Sequence, residues 1–221
     1  MLAPFPLIQP MAEKGKADGA ASWRHYPLPG KKPTEYIYKR LEGRHSVMAR
    51  ARASASMLRQ AVRVDPARLG KLNFSWKVPE LIADADLTLR EKHDSPVRVV
   101  MVFEGDRSTF SMKNTMLSEL ARTLTGEELP YATLMYVWCN ACTSGSVLVN
   151  PRTDRIREIA LEAGPGKLNR WLDYQRDIRA DYKKAFGEAP GALLDIGIMT
   201  DTDNTRQNTM AWYGPISMSQ P

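Results

Sequence analysis

The residues with the most chemistry per unit of sequence lie near the C-terminus, where Asp201, Asp203 and Asn204 stand within four positions in MTDTDNT. Closely spaced oxygen ligands of this kind suit a hard cation such as calcium, which takes six to eight of them. The same residue types also make turns by bonding their own backbone. A second polar stretch holds Asp84, Asp86, Glu91, His93 and Asp94. Paired carboxylates work as general acid and base when a fold sets them across a groove, and His93 offers a base that titrates near neutrality. For a histidine on a loop, plain surface is the simpler expectation. Arg98, Arg107 and Arg155 have the planar fork that grips a carboxylate or phosphate, although their spacing does not show that they converge.

The aromatic residues suggest a different chemistry. Sugars stack their apolar faces on aromatic rings while amides, carboxylates and guanidinium groups hold the hydroxyls. Trp138 followed by Asn140, and Trp212–Tyr213 just after the acidic loop, have those types in reach of one another, with Arg98 as a further donor. Tryptophans on alternating strands are otherwise core, and Trp76 and Trp171 fit that reading. Cys139 and Cys142 form a CxxC directly after a strand-like run. Zinc would need two further ligands that no second motif supplies. A local disulfide or two inert thiols remain.

The elements that must position these groups are mostly strands. Leu72, Phe74, Trp76 and Val78 alternate with Asn73, Ser75 and Lys77, the period of a strand with one buried face. Thr34–Leu41 and Ser46–Ser54 alternate too, with Gly43 and Arg44 as a turn between them. Val97–Phe103 and Thr133–Trp138 are uniformly apolar, as central strands are. Ser146–Val149, Arg155–Leu161, Ala192–Thr200 and Thr209–Met218 complete the set. Helical spacing predicts Met112–Thr125, ended by Gly126, and Lys167–Phe186, ended by Gly187 and Pro190. Asp154, between Arg152 and Arg155, reads as a tight turn closed by an ion pair. No GxGxxG or Walker-type loop is present. The expectation is an all-β chain, a mainly antiparallel β-sandwich or jelly roll with two helical insertions. Residues 1–22 read as a flexible lead-in and residues 23–218 as one domain.

Several blocks resemble an uncharacterised bacterial family, domain of unknown function 3047. They are LNFSWKV at Leu72–Val78, ADLTLREKHD at Ala85–Asp94, the run Arg98–Phe103, and LPYATLMYVW at Leu129–Trp138. NPRTDRIR at Asn150–Arg157, RDIRADYKKAFGEAP at Arg176–Pro190, and MTDTDNT with AWYG within Met199–Gly214 follow in the same order. The resemblance spans about residues 23–217 and implies a neighbourhood rather than a reaction, with the periplasm as the compartment. Two positions depart from the family pattern. Glu91–Asp94 reads EKHD against EGDD, and Pro215 stands where the pattern continues with Asp, which weakens any acidic site using those positions.

The 221 residues are 43% hydrophobic and 25% charged, enough for a core. No run approaches the ~18 apolar residues of a membrane span. Residues 1–71 carry 14 Lys+Arg against 5 Asp+Glu, a net of +9, while the remainder is net −3. Met1–Met11 is apolar but interrupted by Pro4, Pro6 and Pro10 and has no cationic start, so no signal peptide is evident. The absence of a nucleophile motif such as GxSxG favours a non-catalytic module for carbohydrate or a similar polyhydroxylated ligand, in the periplasm or secreted, with calcium as its possible cofactor. A glycan hydrolase or lyase is the alternative. Another is an interaction protein docking an anionic partner through its basic first third. Nucleic acid fits poorly, since no aromatic-basic recognition module is present.

Overall fold

A computed structural model describes residues 23–219. The expected lead-in at residues 1–22 lies outside the described residues. Thirteen strands and two α-helices follow one another as β1 (Arg24–Pro27), β2 (Glu35–Leu41), β3 (Arg44–Arg52), β4 (Ser56–Val64), β5 (Lys71–Lys77), β6 (Arg98–Phe103), α1 (Met112–Thr125), β7 (Ala132–Cys139), β8 (Val147–Val149), β9 (Ile156–Ala163), β10 (Trp171–Asp177), α2 (Ile178–Phe186), β11 (Leu193–Met199), β12 (Asn208–Tyr213) and β13 (Ser217–Met218). The first sheet runs β1-β4-β11-β6-β7-β9-β8 and the second β10-β5-β12-β3-β2, with β13 added on β5. All pairs are antiparallel except β7 with β9. The all-β sandwich with two helices is thus as the alternation implied.

The pleat explains the core. Val99, Met101 and Phe103 of β6 and Leu134, Tyr136 and Trp138 of β7 point from the first sheet toward Phe74, Trp76 and Tyr213 of the second. Phe74 stacks on Tyr136 with ring centroids 5.5 Å apart. Offset or near-parallel contacts of this sort add stability beyond area burial.

Three expectations need correction. Lys167–Phe186 is not one helix: Trp171–Asp177 pairs along its whole length with β5, and α2 starts only after Asp177, whose side chain accepts from the Ala180 amide. The 3–4 spacing of Trp171, Tyr174 and Ile178 mimics a helix, while Leu172 and Tyr174 alternate into the core. Ser56–Val64 is a strand that Arg59, Gln60 and Arg63 obscure. Asp154 makes no closing ion pair; its Oδ1 accepts from the Asn114 amide at 2.7 Å.

Helix α1 has the expected bounds, capped by Ser111 and ended by Gly126 in the left-handed conformation. Its packing is unusual. The buried residues are the polar Asn114 and Ser118, and Asn114 ties the helix to Thr153 and Asp154. Leu120 and Leu124 remain 53% and 60% exposed. The helix therefore stands off the outer face of the first sheet instead of sealing it.

Candidate functional site

Between α1 and that outer face lies a groove of about 690 Å³, within the range of small-molecule sites. Its apolar wall is Leu117, Leu120 and Leu124 of the helix, facing Met57, Met135 and Met199 on β4, β7 and β11. The polar end is built from His93, Arg98, Asn150, Glu158, Asp201 and Asn204.

Arg98 organises this end. It opens β6 on the outer face and is only 2% exposed. Its Nε donates to Asp201 Oδ1 at 2.8 Å, and one terminal nitrogen donates to Asp201 Oδ2 at 3.2 Å. The other terminal nitrogen donates to Glu158 Oε1 at 2.9 Å. The backbone carbonyl of His93 takes a further bond at 2.9 Å, and His93 Nε2 lies 3.2 Å from Glu158 Oε1. Such a guanidinium, fully committed, offsets the desolvation of Glu158 and part of that of Asp201.

The two carboxylates are pulled apart electrostatically. Burial alone would raise Glu158, but Arg98 and His93 outweigh it and hold the carboxyl below the usual glutamate range. Burial pushes Asp201 up to about 6, against the attraction of Arg98. Glu158 Oε2 is buried and takes no hydrogen bond of good geometry among the described residues, although the nearby Asn150 amide helps to lower the carboxyl. A carboxylate only accepts, so that oxygen lacks a well-aligned donor.

Asp94, also buried, accepts from the side-chain amide of Asn204 at 2.8 Å and from the backbone and hydroxyl of Thr205, both at 2.7 Å. Oxygens of Asp94, Asp201 and Asp203 lie within 4.8 Å of one another. They are already served by protein cations and donors. Asp201 is held by Arg98, and Asp203 pairs with Lys31 at 2.5 Å. Asn204 spends its amide on Asp94, and its Oδ1 accepts from Arg152 at 3.1 Å. A calcium ion on Asp201, Asp203 and Asn204 would have to displace Lys31 and share Asp201 with Arg98.

The aromatic candidates do not converge. Trp138 is 1% exposed and donates its indole N–H to the Gly164 carbonyl. Tyr213 is 2% exposed and donates its hydroxyl to the Met199 carbonyl at 2.6 Å. Both point into the core because of their strand parity, which corrects the expectation that they stack a ligand. Asn140 donates to the Ile82 carbonyl at 2.7 Å and ties two loops together. Trp212 faces the opposite way from Tyr213, half-buried on the outer side of the second sheet. Among the described residues, no Trp, Tyr or Phe lines the groove. Arg98 alone of the five binding candidates belongs to it. Glu158 drew no attention in the sequence, because a single Glu in a strand-like run is commonplace; its partners lie on other elements. His93 is buried rather than on the surface, and Cys139 and Cys142 are joined in a disulfide.

The family model for DUF3047, described as a protein of unknown function, matches residues 21–217. The chain belongs to this family. No curated protein matches it. Among solved structures, it is similar to TmCBM61 in complex with beta-1,4-galactotriose (9% identity, 90% of this chain and 88% of that one, TM-score 0.35). It is also similar to endoglucanase 3 of Trichoderma harzianum, from family GH12 (7% identity, 93% and 100% coverage, TM-score 0.44). A third is the xyloglucanase domain of NopAA from Sinorhizobium fredii (10% identity, 93% and 96% coverage, TM-score 0.42). At these scores no residue or reaction passes from those proteins to this DUF3047 chain.

Proposed function

We propose that this DUF3047 protein is a non-catalytic binding protein that holds a carbohydrate or similar polyhydroxylated ligand in the groove between α1 and the first sheet. The observation that carries the reading is Glu158 Oε2, an ionised, buried acceptor at the polar end that takes no hydrogen bond of good geometry among the described residues, with only the Asn150 amide near it. A ligand hydroxyl supplies the missing donor, and leaving such a group unmatched costs more than a hydrogen bond returns. Arg152, which gives one nitrogen to Asn204, has further donors for other ligand oxygens. The apolar C–H faces of a sugar rest on Met57, Met135, Met199 and Leu120 rather than on aromatic rings. Arg98 acts as a positioning residue for Glu158. The Cys139–Cys142 disulfide supports an oxidising compartment such as the periplasm.

The second reading, a glycan hydrolase or lyase, is favoured by the opposite displacement of Glu158 and Asp201, because acid and base roles require carboxyls of different affinity for a proton. Both oxygens of Asp201 are occupied by Arg98, which ranks it second.

Calorimetric titration with a panel of mono- and oligosaccharides and polyols tests the proposal. Saturable binding weakened at least tenfold in Glu158→Gln is the expected result. Heat from no member of the panel would remove it, and release of new reducing ends, abolished in Glu158→Gln, would install the hydrolase instead.

A further inference from the structure

The register of the second sheet brings together residues that the groove does not use. Trp171 pairs with Lys77 across β10 and β5, and Lys77 pairs in turn with Trp212 on β12. These three residues alternate away from the core residues Leu172, Trp76 and Tyr213, so they share the outer face in a single row. The two indoles sit two strand intervals apart, roughly 10 Å, about the length of a disaccharide. Beside the row is a depression of about 550 Å³ lined by Arg44, Asn73, Asp173 and Gln175. Its groups both donate to and accept from hydroxyls.

The same face is basic. Arg50 pairs with Glu35, and Lys77 pairs with Glu42. Arg44 lies over the Trp171 ring at 4.9 Å and pairs with Asp173 at 2.5 Å. Lys39, Arg52 and Lys71, exposed on the outward-facing positions of β2, β3 and β5, make no ion pair among the described residues. Part of the charge excess of the first third of the chain thereby lies on the sheet face that carries the two tryptophans, Lys71 six residues along β5 from Lys77 and Arg52 four residues along β3 from Met48, which pairs with Trp212.

We infer that the outer face of the second sheet is a binding platform for an anionic polysaccharide, with sugar rings lying on Trp171 and Trp212, a uronate carboxylate meeting Arg44 beside Trp171, and Lys39, Arg52 and Lys71 attracting the polyanion from around the row. Sugar faces stack on indoles through their C–H groups, and indole is the largest such surface a side chain offers. The Arg44–Asp173 pair is exposed and contributes little, so a ligand carboxylate can take Arg44 from Asp173 at small cost. A single-stranded nucleic acid would also stack on aromatics. Its deoxyribose–phosphate chain has no free hydroxyl to donate to Glu35, Glu42 and Asp173 on this face, whereas each uronate ring presents hydroxyls to those carboxylates. The ligand class overlaps that of the groove, but the site does not.

Affinity electrophoresis with polygalacturonate, dextran and poly(dT), at low salt and at 0.5 M NaCl, decides the matter. The expected result is retardation by polygalacturonate, weakened at least tenfold in Trp212→Ala and in Trp171→Ala and reduced by salt, with Arg63→Ala, an exposed cation on β4 of the first sheet, unchanged. If circular dichroism shows either tryptophan variant unfolded, Lys39→Glu/Arg52→Glu, both exposed, takes its place with the same tenfold loss. Absence of retardation overturns the inference. So does retardation that ignores both the tryptophan and the charge-reversal variants, or stronger retardation by poly(dT). Loss in Glu158→Gln alone also overturns it while leaving the groove proposal standing.

Discussion

Arg98 and Asp201 meet in a two-point contact, Nε to Oδ1 and a terminal nitrogen to Oδ2, beneath the polar end of the groove. The fork geometry leaves one terminal nitrogen free to reach Glu158. One guanidinium thus fixes two carboxylates that arrive from different parts of the chain.

Removing Arg98 leaves both carboxylates buried without their main partner. Arg98→Ala is expected to lose about 3–5 kcal/mol of stability, read by urea denaturation. Arg98→Lys should recover only part of it, because an ammonium cannot supply the planar fork. A loss under 1 kcal/mol in Arg98→Ala would mean that the cluster relaxes into solvent.

The pH dependence has opposite signs at the two acids. Asp201 rises from 3.8 to about 6 in the folded protein, a change worth roughly 3 kcal/mol. Its contribution is fully present below about pH 4 and is lost as pH rises through 6. Glu158 lies below its ordinary value of 4.5, so its contribution is present above that value and lost as pH falls further. Carboxyl carbon NMR should place the Asp201 midpoint near 6 and find Glu158 still ionised at pH 5. An Asp201 midpoint near 4 would contradict the environment described.

Helix α1 contributes its leucines to the groove wall rather than to the core. Leu120→Ser and Leu124→Ser should change unfolding free energy by no more than about 0.5 kcal/mol. Leu134→Ala, in the sandwich interior, should cost about 2–5 kcal/mol. Comparable costs at all three positions would show that the helix packs down on the sheet.

Reduction of the Cys139–Cys142 disulfide opens a very short loop, for which chain entropy gives about 2 kcal/mol. The reduced protein should therefore melt a few degrees lower and keep its β-rich circular dichroism. Outright unfolding on reduction would assign the bond a larger part in the fold.

Calcium at Asp201, Asp203 and Asn204 must compete with Arg98 and Lys31. Melting temperatures in millimolar calcium and in chelator are expected to agree. A rise of several degrees with calcium would show that the ion displaces Lys31.

Much of the sandwich is written locally, and little of the site is. Leu72, Phe74 and Trp76 declare β5 by alternation alone, and Gly126 and Gly187 mark both helix ends. Strand β10 escapes notice because Trp171, Tyr174 and Ile178 keep a helical spacing while Leu172 and Tyr174 alternate as in a strand, and only pairing with β5 decides between the two. The Arg98 cluster is illegible for a related reason. His93 and Glu158 are ordinary until the sheet brings them to one guanidinium, and burial of a loop histidine is a property of those distant partners. Trp138 and Tyr213 read as binding aromatics from their neighbours in sequence, yet strand parity sends both inward.

The strand order has a consequence for synthesis. In the first sheet β11 lies between β4 and β6, and in the second β12 lies between β5 and β3. Each sheet therefore waits for a strand made late in translation to fill its middle. A nascent chain that has emerged only as far as α2 holds two incomplete sheets with unpaired inner edges, a state prone to association. Closure through such long-range pairings is slow. The sandwich accordingly closes only once residues 193–213 have emerged, and its dependence on chaperones should be greatest in the interval before then.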